Sequence, residues 1–92
     1  MGLQEMRAEI DRIDREIVTL YLRRMETVKA IGAWKRENNV PVRDPEREKR
    51  LLDEAAAMAG EEYGDGVRAL FRLLIEQSRA CQSAGHNDLL TD

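Results

Sequence analysis

LQEMRAEIDRIDREIVTLYLRRMETVKAIGAWKRE, residues 3–37, contains no proline and one internal glycine, Gly32. Apolar residues recur at Leu3, Met6, Ile10, Ile13, Ile17, Leu20, Val28 and Ile31. Steps of three and four place them on one stripe of an amphipathic α-helix. At 1.5 Å per residue such a helix is roughly 50 Å long, whereas a compact chain of this size has a radius of gyration of only about 12 Å. Much of the stripe therefore needs cover from outside its own fold, and a second copy of the chain is the simplest source.

The stripe is interrupted by charge. Past Leu20 the same steps lead to Arg24, Val28, Ile31 and Lys35. Arg24 and Lys35 lie eleven residues apart and so differ by about 20° in azimuth. Buried charges are costly unless paired. A single cation on such a stripe reads as a side chain that snorkels to water or meets an acid. Two on one stripe point to an anion site.

The chain of 92 residues suits one domain. At this size folding leaves much apolar surface in water, and dimerisation would cover it. Charged residues make up 36% and aromatic residues 4%. That composition approaches disordered sequences, but the sustained helical period argues against disorder. The net charge of −3 argues against nucleic-acid binding. Cys81 has no cysteine partner, and the sequence holds one histidine, His86. Neither a disulfide nor a metal-ligand cluster follows, and Cys81 reads as a small apolar residue on a helical stripe. No signal-peptide pattern and no run of membrane-spanning length is present. A soluble, cytoplasmic protein with no membrane contact is expected.

The first helix should stop near Glu37, before Asn38-Asn39 and Pro41. Val40 to Arg43 reads as an extended connector. Asp44 can cap a second helix that opens with Pro45, carries Leu51, Leu52, Ala55 and Met58, and runs over 45–59 to Gly60. Tyr63-Gly64-Asp65-Gly66 reads as a turn, with Asp65 capping a third helix over 65–84. The polar tail from His86 to Asp92 carries no helical pattern and is expected to be disordered. The expectation is an all-α domain over 1–85: a three-helix protomer with one very long N-terminal helix, intertwined into a helical-bundle homodimer.

The other two helices also carry polar residues inward. Glu48 lies one turn before Leu51 and Leu52, with Arg47 beside it. The series Val67, Phe71, Leu74, Ser78, Gln82 brings a hydroxyl and an amide onto the third stripe. Taken singly, Arg47 and Glu48 read as helix-surface charge, and Ser78 and Gln82 as a fraying stripe. Taken together with Arg24 and Lys35, they read as a polar pocket between helices. Its cations suit a small polyanion, and arginine grips a carboxylate with two parallel hydrogen bonds.

These residues resemble the all-helical, type II class of chorismate mutases over nearly the whole chain. The likeness is carried by Met6-Arg7-Ala8-Glu9-Ile10-Asp11 with Ile13-Asp14, Arg23-Arg24, the stretch from Gly32 to Lys35, Pro41-Val42-Arg43-Asp44 with Arg47-Glu48, and Ile75-Glu76-Gln77-Ser78 with Gln82. Each piece is weak alone, and their order and spacing are specific. The resemblance implies an intertwined dimer with two equivalent sites that converts chorismate to prephenate, without metal or cofactor. It implies that Arg24 and the partner subunit's Arg7 hold the two carboxylates. Lys35 would contact a carboxylate and the ether oxygen, and Gln82 would donate to that oxygen. Glu48 and the backbone near Asp44 would bind the ring hydroxyl, with Arg47 and Ser78 completing the pocket.

Helix arithmetic supports a shared site independently. Arg7 and Arg24 are about 25 Å apart along one helix and roughly 100° apart around it, so they cannot grip one small molecule from the same helix. Two competing readings stay open: an isochorismate pyruvate lyase on the same scaffold, and a noncatalytic helical dimerisation module.

Overall fold

In the computed structural model, which describes residues 2–91 with side chains through Ala84, the protein consists of two helical elements. Helix α1 spans Leu3–Glu37 and helix α2 spans Pro45–Thr91. No strand is present among the described residues.

The ends of α1 follow from local chemistry. Glu5 lies in the first turn and Lys35 and Arg36 in the last, each sign at the end the helix dipole favours. At the far end Asn38 closes the helix with its backbone N–H, 3.0 Å from the Trp34 carbonyl. Asn39 takes the left-handed conformation, φ 56°. The Val40 N–H then reaches back 2.9 Å to the Lys35 carbonyl. A left-handed residue followed by a six-to-one bond is the Schellman ending, and asparagine tolerates it better than most residues.

Asp44 caps α2: its Oδ1 accepts from the Arg47 N–H at 3.1 Å. Pro45 fills the first helical position, where its missing N–H costs nothing. Gly60 breaks α2, with φ 84° and ψ 178°, a region open essentially to glycine alone. Across that residue the chain folds back. Arg68 pairs with Asp53 at 2.9 Å and Arg79 with Glu48 at 3.2 Å, so the two segments of α2 run antiparallel. The second segment lies along α1 in the same direction, Arg24 meeting Ser78 and Gly32 meeting Gln82.

Two expectations are corrected here. The turn placed over Tyr63–Gly66 is absent: one residue, Gly60, reverses the chain, and helix resumes at once. Glu61 and Glu62 then occupy a helix start, and acids are favoured there. Gly64 instead packs inside the hairpin, where a Cβ would lie 3.2 Å from the Ala56 carbonyl. Met58, named among the apolar residues that the second helix carries, is 89% exposed and takes no part in the core. The polar tail, His86–Asp92, lies outside the residues whose side chains are described.

The core is small. Val28, Ala55 and Ile75 are its buried apolar residues among those described. Every residue from Gly2 to Leu20 is exposed, including the whole apolar stripe from Leu3 through Leu20. The protein is 57 Å long with a radius of gyration of 16.8 Å, well above the roughly 12 Å of a compact chain of this length. Half of α1 projects from the remainder with its apolar side in water.

Candidate active site

A cleft of about 340 Å³ opens where the C-terminal half of α1, the connector and both segments of α2 meet. Arg24, Lys35, Asp44, Arg47, Glu48, Ser78 and Gln82 all line it. Seven of the eight residues singled out in the sequence are thus brought together. The eighth, Arg7, is exposed on the projecting half of α1 and does not line the cleft.

Each element delivers its side chains for a local reason. Arg24 and Lys35 share the inner azimuth of α1, on either side of buried Val28. The Arg24 guanidinium donates to the Ser78 hydroxyl and, at 3.4 Å, to the Leu74 carbonyl. Ser78 in turn donates to the Leu74 carbonyl at 2.7 Å, the back-bond that satisfies a hydroxyl inside a helix. Ser78, only 8% exposed, therefore holds Arg24 in place without competing for its remaining N–H groups. Lys35 donates to the Val42 carbonyl at 2.8 Å, which ties the connector over the cleft. Two of the ammonium's three protons stay available.

Gln82 is 7% exposed, and its side-chain oxygen is buried with no hydrogen-bond partner in the protein. Buried polar groups are normally satisfied, so a buried amide end facing a cleft marks a place for a ligand. Rotating the amide by half a turn would present the N–H₂ group instead, since its O and N are assigned from partners. Glu48 behaves similarly. Its side chain is 19% exposed, and its Oε1 is also buried without a hydrogen bond.

The cleft therefore combines cations on three elements, a carboxylate with a free lone pair, an unpartnered amide, and apolar walls from Val28, Ile31, Val42, Leu51 and Ile75. Apolar walls strengthen electrostatic contacts by excluding water, so a small polyanion with both charged and apolar portions suits it. Among the described residues no group of three or more His, Cys, Asp or Glu side chains could hold a metal ion. None of the described helices is long and apolar enough to cross a membrane.

Sequence reasoning missed Arg79, which also lines the cleft. Its signal was available: Ile75, Arg79 and Gln82 follow steps of four and three along the inner stripe. An arginine next to Ser78 reads at first as solvated charge.

The sequence model of the family described as chorismate mutase type II matches residues 6–83. The chain belongs to that family. It is 35% identical over 83 residues to the chorismate mutase of Methanocaldococcus jannaschii, covering 87% of this chain and 83% of that one. It is 40% identical over 84 residues to the bifunctional chorismate mutase/prephenate dehydratase of Aquifex aeolicus, covering 88% of this chain and 23% of that protein. The chain thus spans about a quarter of the length of that bifunctional relative. A solved structure of a conserved hypothetical protein from Pyrococcus furiosus superposes with a TM-score of 0.74 at 36% identity, covering 87% of this chain and 93% of that one.

Proposed function

We propose that this chain is a cytoplasmic chorismate mutase domain, acting as an intertwined homodimer of three-helix protomers with two shared active sites. The observation that carries the proposal is the convergence of Arg24, Lys35, Glu48 and the unpartnered Gln82 amide on one cleft. Family membership supports the same reaction. The two segments of α2 on either side of Gly60 serve as the second and third helices of the protomer.

The reaction is an intramolecular [3,3] rearrangement. One C–O bond breaks as one C–C bond forms, and no proton or group is exchanged with the protein. The protein's first task is to select the compact conformer in which the reacting carbons meet. Two arginine clamps on two carboxylates do this, converting an orientation requirement into binding energy. Arg24 supplies one clamp. Arg7 of the partner subunit supplies the other, delivered by the projecting half of that subunit's α1. Its second task is to stabilise negative charge on the ether oxygen as the C–O bond lengthens. Lys35 and the Gln82 amide donate to that oxygen, pre-positioned as in an oxyanion hole. Glu48 and the backbone at Asp44 accept and donate at the ring hydroxyl, while Arg47 and Ser78 complete the wall.

The dimer is supported by the projecting half of α1, whose apolar stripe has no cover within one chain. A single subunit also leaves the cleft without its second clamp.

The test is direct. Purified protein mixed with chorismate should consume the substrate's ultraviolet absorbance and yield prephenate. Release of pyruvate from isochorismate, with chorismate untouched, would instead identify a lyase on this scaffold. No turnover of either, from a folded dimer, would leave a noncatalytic dimerisation module.

A further inference from the structure

The structure assigns Arg79 as a positioning residue that fixes Glu48 for the ring hydroxyl; this rests on the chorismate mutase reading above. Glu48 stands in the first turn of α2, and Arg79 comes from the other side of the Gly60 hairpin. The Arg79 Nε lies 3.2 Å from Glu48 Oε1, yet that oxygen makes no hydrogen bond. The pair is a charge contact whose direction is off the hydrogen-bond axis. It holds the carboxylate while leaving an Oε1 lone pair open. An ionised carboxylate can only accept, so the vacancy suits an O–H donor and no second acceptor.

The pair is also a partition. Glu48, Ile75 and Arg79 line both the main cleft and a smaller neighbouring one of about 210 Å³. The smaller cleft adds Arg43, Arg72 and Glu76. Arg43, from the exposed connector, lies 3.8 Å from Glu48 Oε2. Cations therefore line the clefts on both sides of the carboxylate: Arg43 and Arg72 in the smaller one, Lys35 and Arg47 in the main one. The acidic groups facing these clefts besides Glu48 are Asp44 in the main one and Glu76 in the smaller one. Arg79 sits on the dividing line. With it, Oε1 is held in a buried position, 3.2 Å from the Arg79 Nε. Without it, a rotamer toward Arg43 and the smaller cleft competes, and a ring hydroxyl finds its acceptor turned away.

The test is a double-mutant cycle on the dimeric enzyme. Arg79→Met keeps the length of the side chain and removes its charge. In the parent it should lower kcat/KM for chorismate by about tenfold, and in a Glu48→Gln background by less than about twofold. Arg79→Lys, which restores the cation, should recover most of the loss. Equal losses from Arg79→Met in both backgrounds would overturn the assignment, since Arg79 would then act on the substrate or the fold directly. No loss in the parent would overturn it as well. Circular dichroism accompanies each variant, and Arg79→Gln replaces Arg79→Met in the cycle if the latter does not fold. A parent inactive on chorismate would sink both this assignment and the function it rests on. An active parent without coupling would sink this assignment alone.

Discussion

The two halves of α1 share one helix, one period and one stripe, yet they are inverted in content and cover. The N-terminal half presents Leu3, Met6, Ile10, Ile13, Ile17 and Leu20, and all are exposed. In the C-terminal half Arg24 and Lys35 interrupt the stripe, and there the second segment of α2 packs against it. A chain that folded only to cover its own apolar surface would do the opposite. The inversion is consistent when each half has its own partner: a second subunit for the apolar half, and a charged ligand for the polar one.

The largest expected effect comes from attacking the uncovered half. Ile13→Glu places a charge where, in a lone chain, it would simply be solvated. In the proposed dimer it buries an unpaired carboxylate in each subunit, which costs several kcal/mol. Sedimentation should show monomers at concentrations where the parent is dimeric, with activity lost together with the dimer. A dimer unaffected by Ile13→Glu would mean that this half of the helix is covered by something else. The same half can be probed without unfolding anything. Inactive Arg7→Ala and inactive Lys35→Ala subunits, allowed to exchange, should recover about a quarter of parental activity. Half the dimers are then mixed, each with one intact site. Silence after proven exchange would count against a site shared between chains.

On the covered half, Lys35→Met should cut kcat/KM by roughly 10²–10³, the usual effect of removing one donor to a developing oxyanion. Stability should move by no more than about 1 kcal/mol. The bond to the Val42 carbonyl is lost, but so is a cation on an inner stripe. Thermal melts and turnover, read together, separate the two roles. Large destabilisation with modest loss of activity would make Lys35 a structural residue.

How far the sequence reaches is visible in particular residues. Arg24 and Lys35 stood out because a charge on an apolar period is a contradiction that needs a partner. Ser78 and Gln82 were weaker signals of the same kind, since a stripe also loses its apolar character toward a helix end. Arg7 could be separated from Arg24 by arithmetic alone, but no arithmetic says which surface brings a second copy. Arg79 escaped because adjacency to Ser78 hid its place on the Ile75–Gln82 stripe. The turn was misplaced for a related reason. Tyr63-Gly64-Asp65-Gly66 has the composition of a turn, but a hairpin of two helices needs only one residue with the right dihedral angles, and Gly60 has them.

A subtler probe of the polar half is Gln82→Glu. The parental amide carries N–H donors and does not ionise near neutral pH. An ionised glutamate can only accept, and its charge opposes the charge growing on the ether oxygen. A protonated glutamate offers one O–H donor and can replace the amide. The variant should be poor at neutral pH, by up to about 10²-fold, and recover as pH falls, while the parent changes much less. Parallel pH profiles for folded parent and variant would show that Gln82 does not face the breaking bond.

The smallest effect is expected at Gly32, where the cost of placing Gln82 can be read. A Cβ there would lie 3.2 Å from Gln82 Cγ and 3.4 Å from its Cα. Glycine inside a helix costs roughly 1 kcal/mol relative to alanine, so Gly32→Ala gains that much in α1. Against this, the new methyl group must push the Gln82 segment by a few tenths of an ångström, and overpacking of this kind costs about 1–3 kcal/mol. The gain offsets part of this, leaving a net cost of between zero and about 2 kcal/mol, so the melting temperature should fall by no more than about 16 °C. Activity has no such offset. A misplacement of 1 Å can cost about 10²-fold, so a shift of a few tenths should lower kcat/KM several-fold. In a Gln82→Ala background the same substitution meets a shorter side chain that no longer reaches the substrate, and it should cost little further activity. An equal loss in both backgrounds would place the effect in the packing of α1 on α2 as a whole, and not in the amide that Gly32 lets approach.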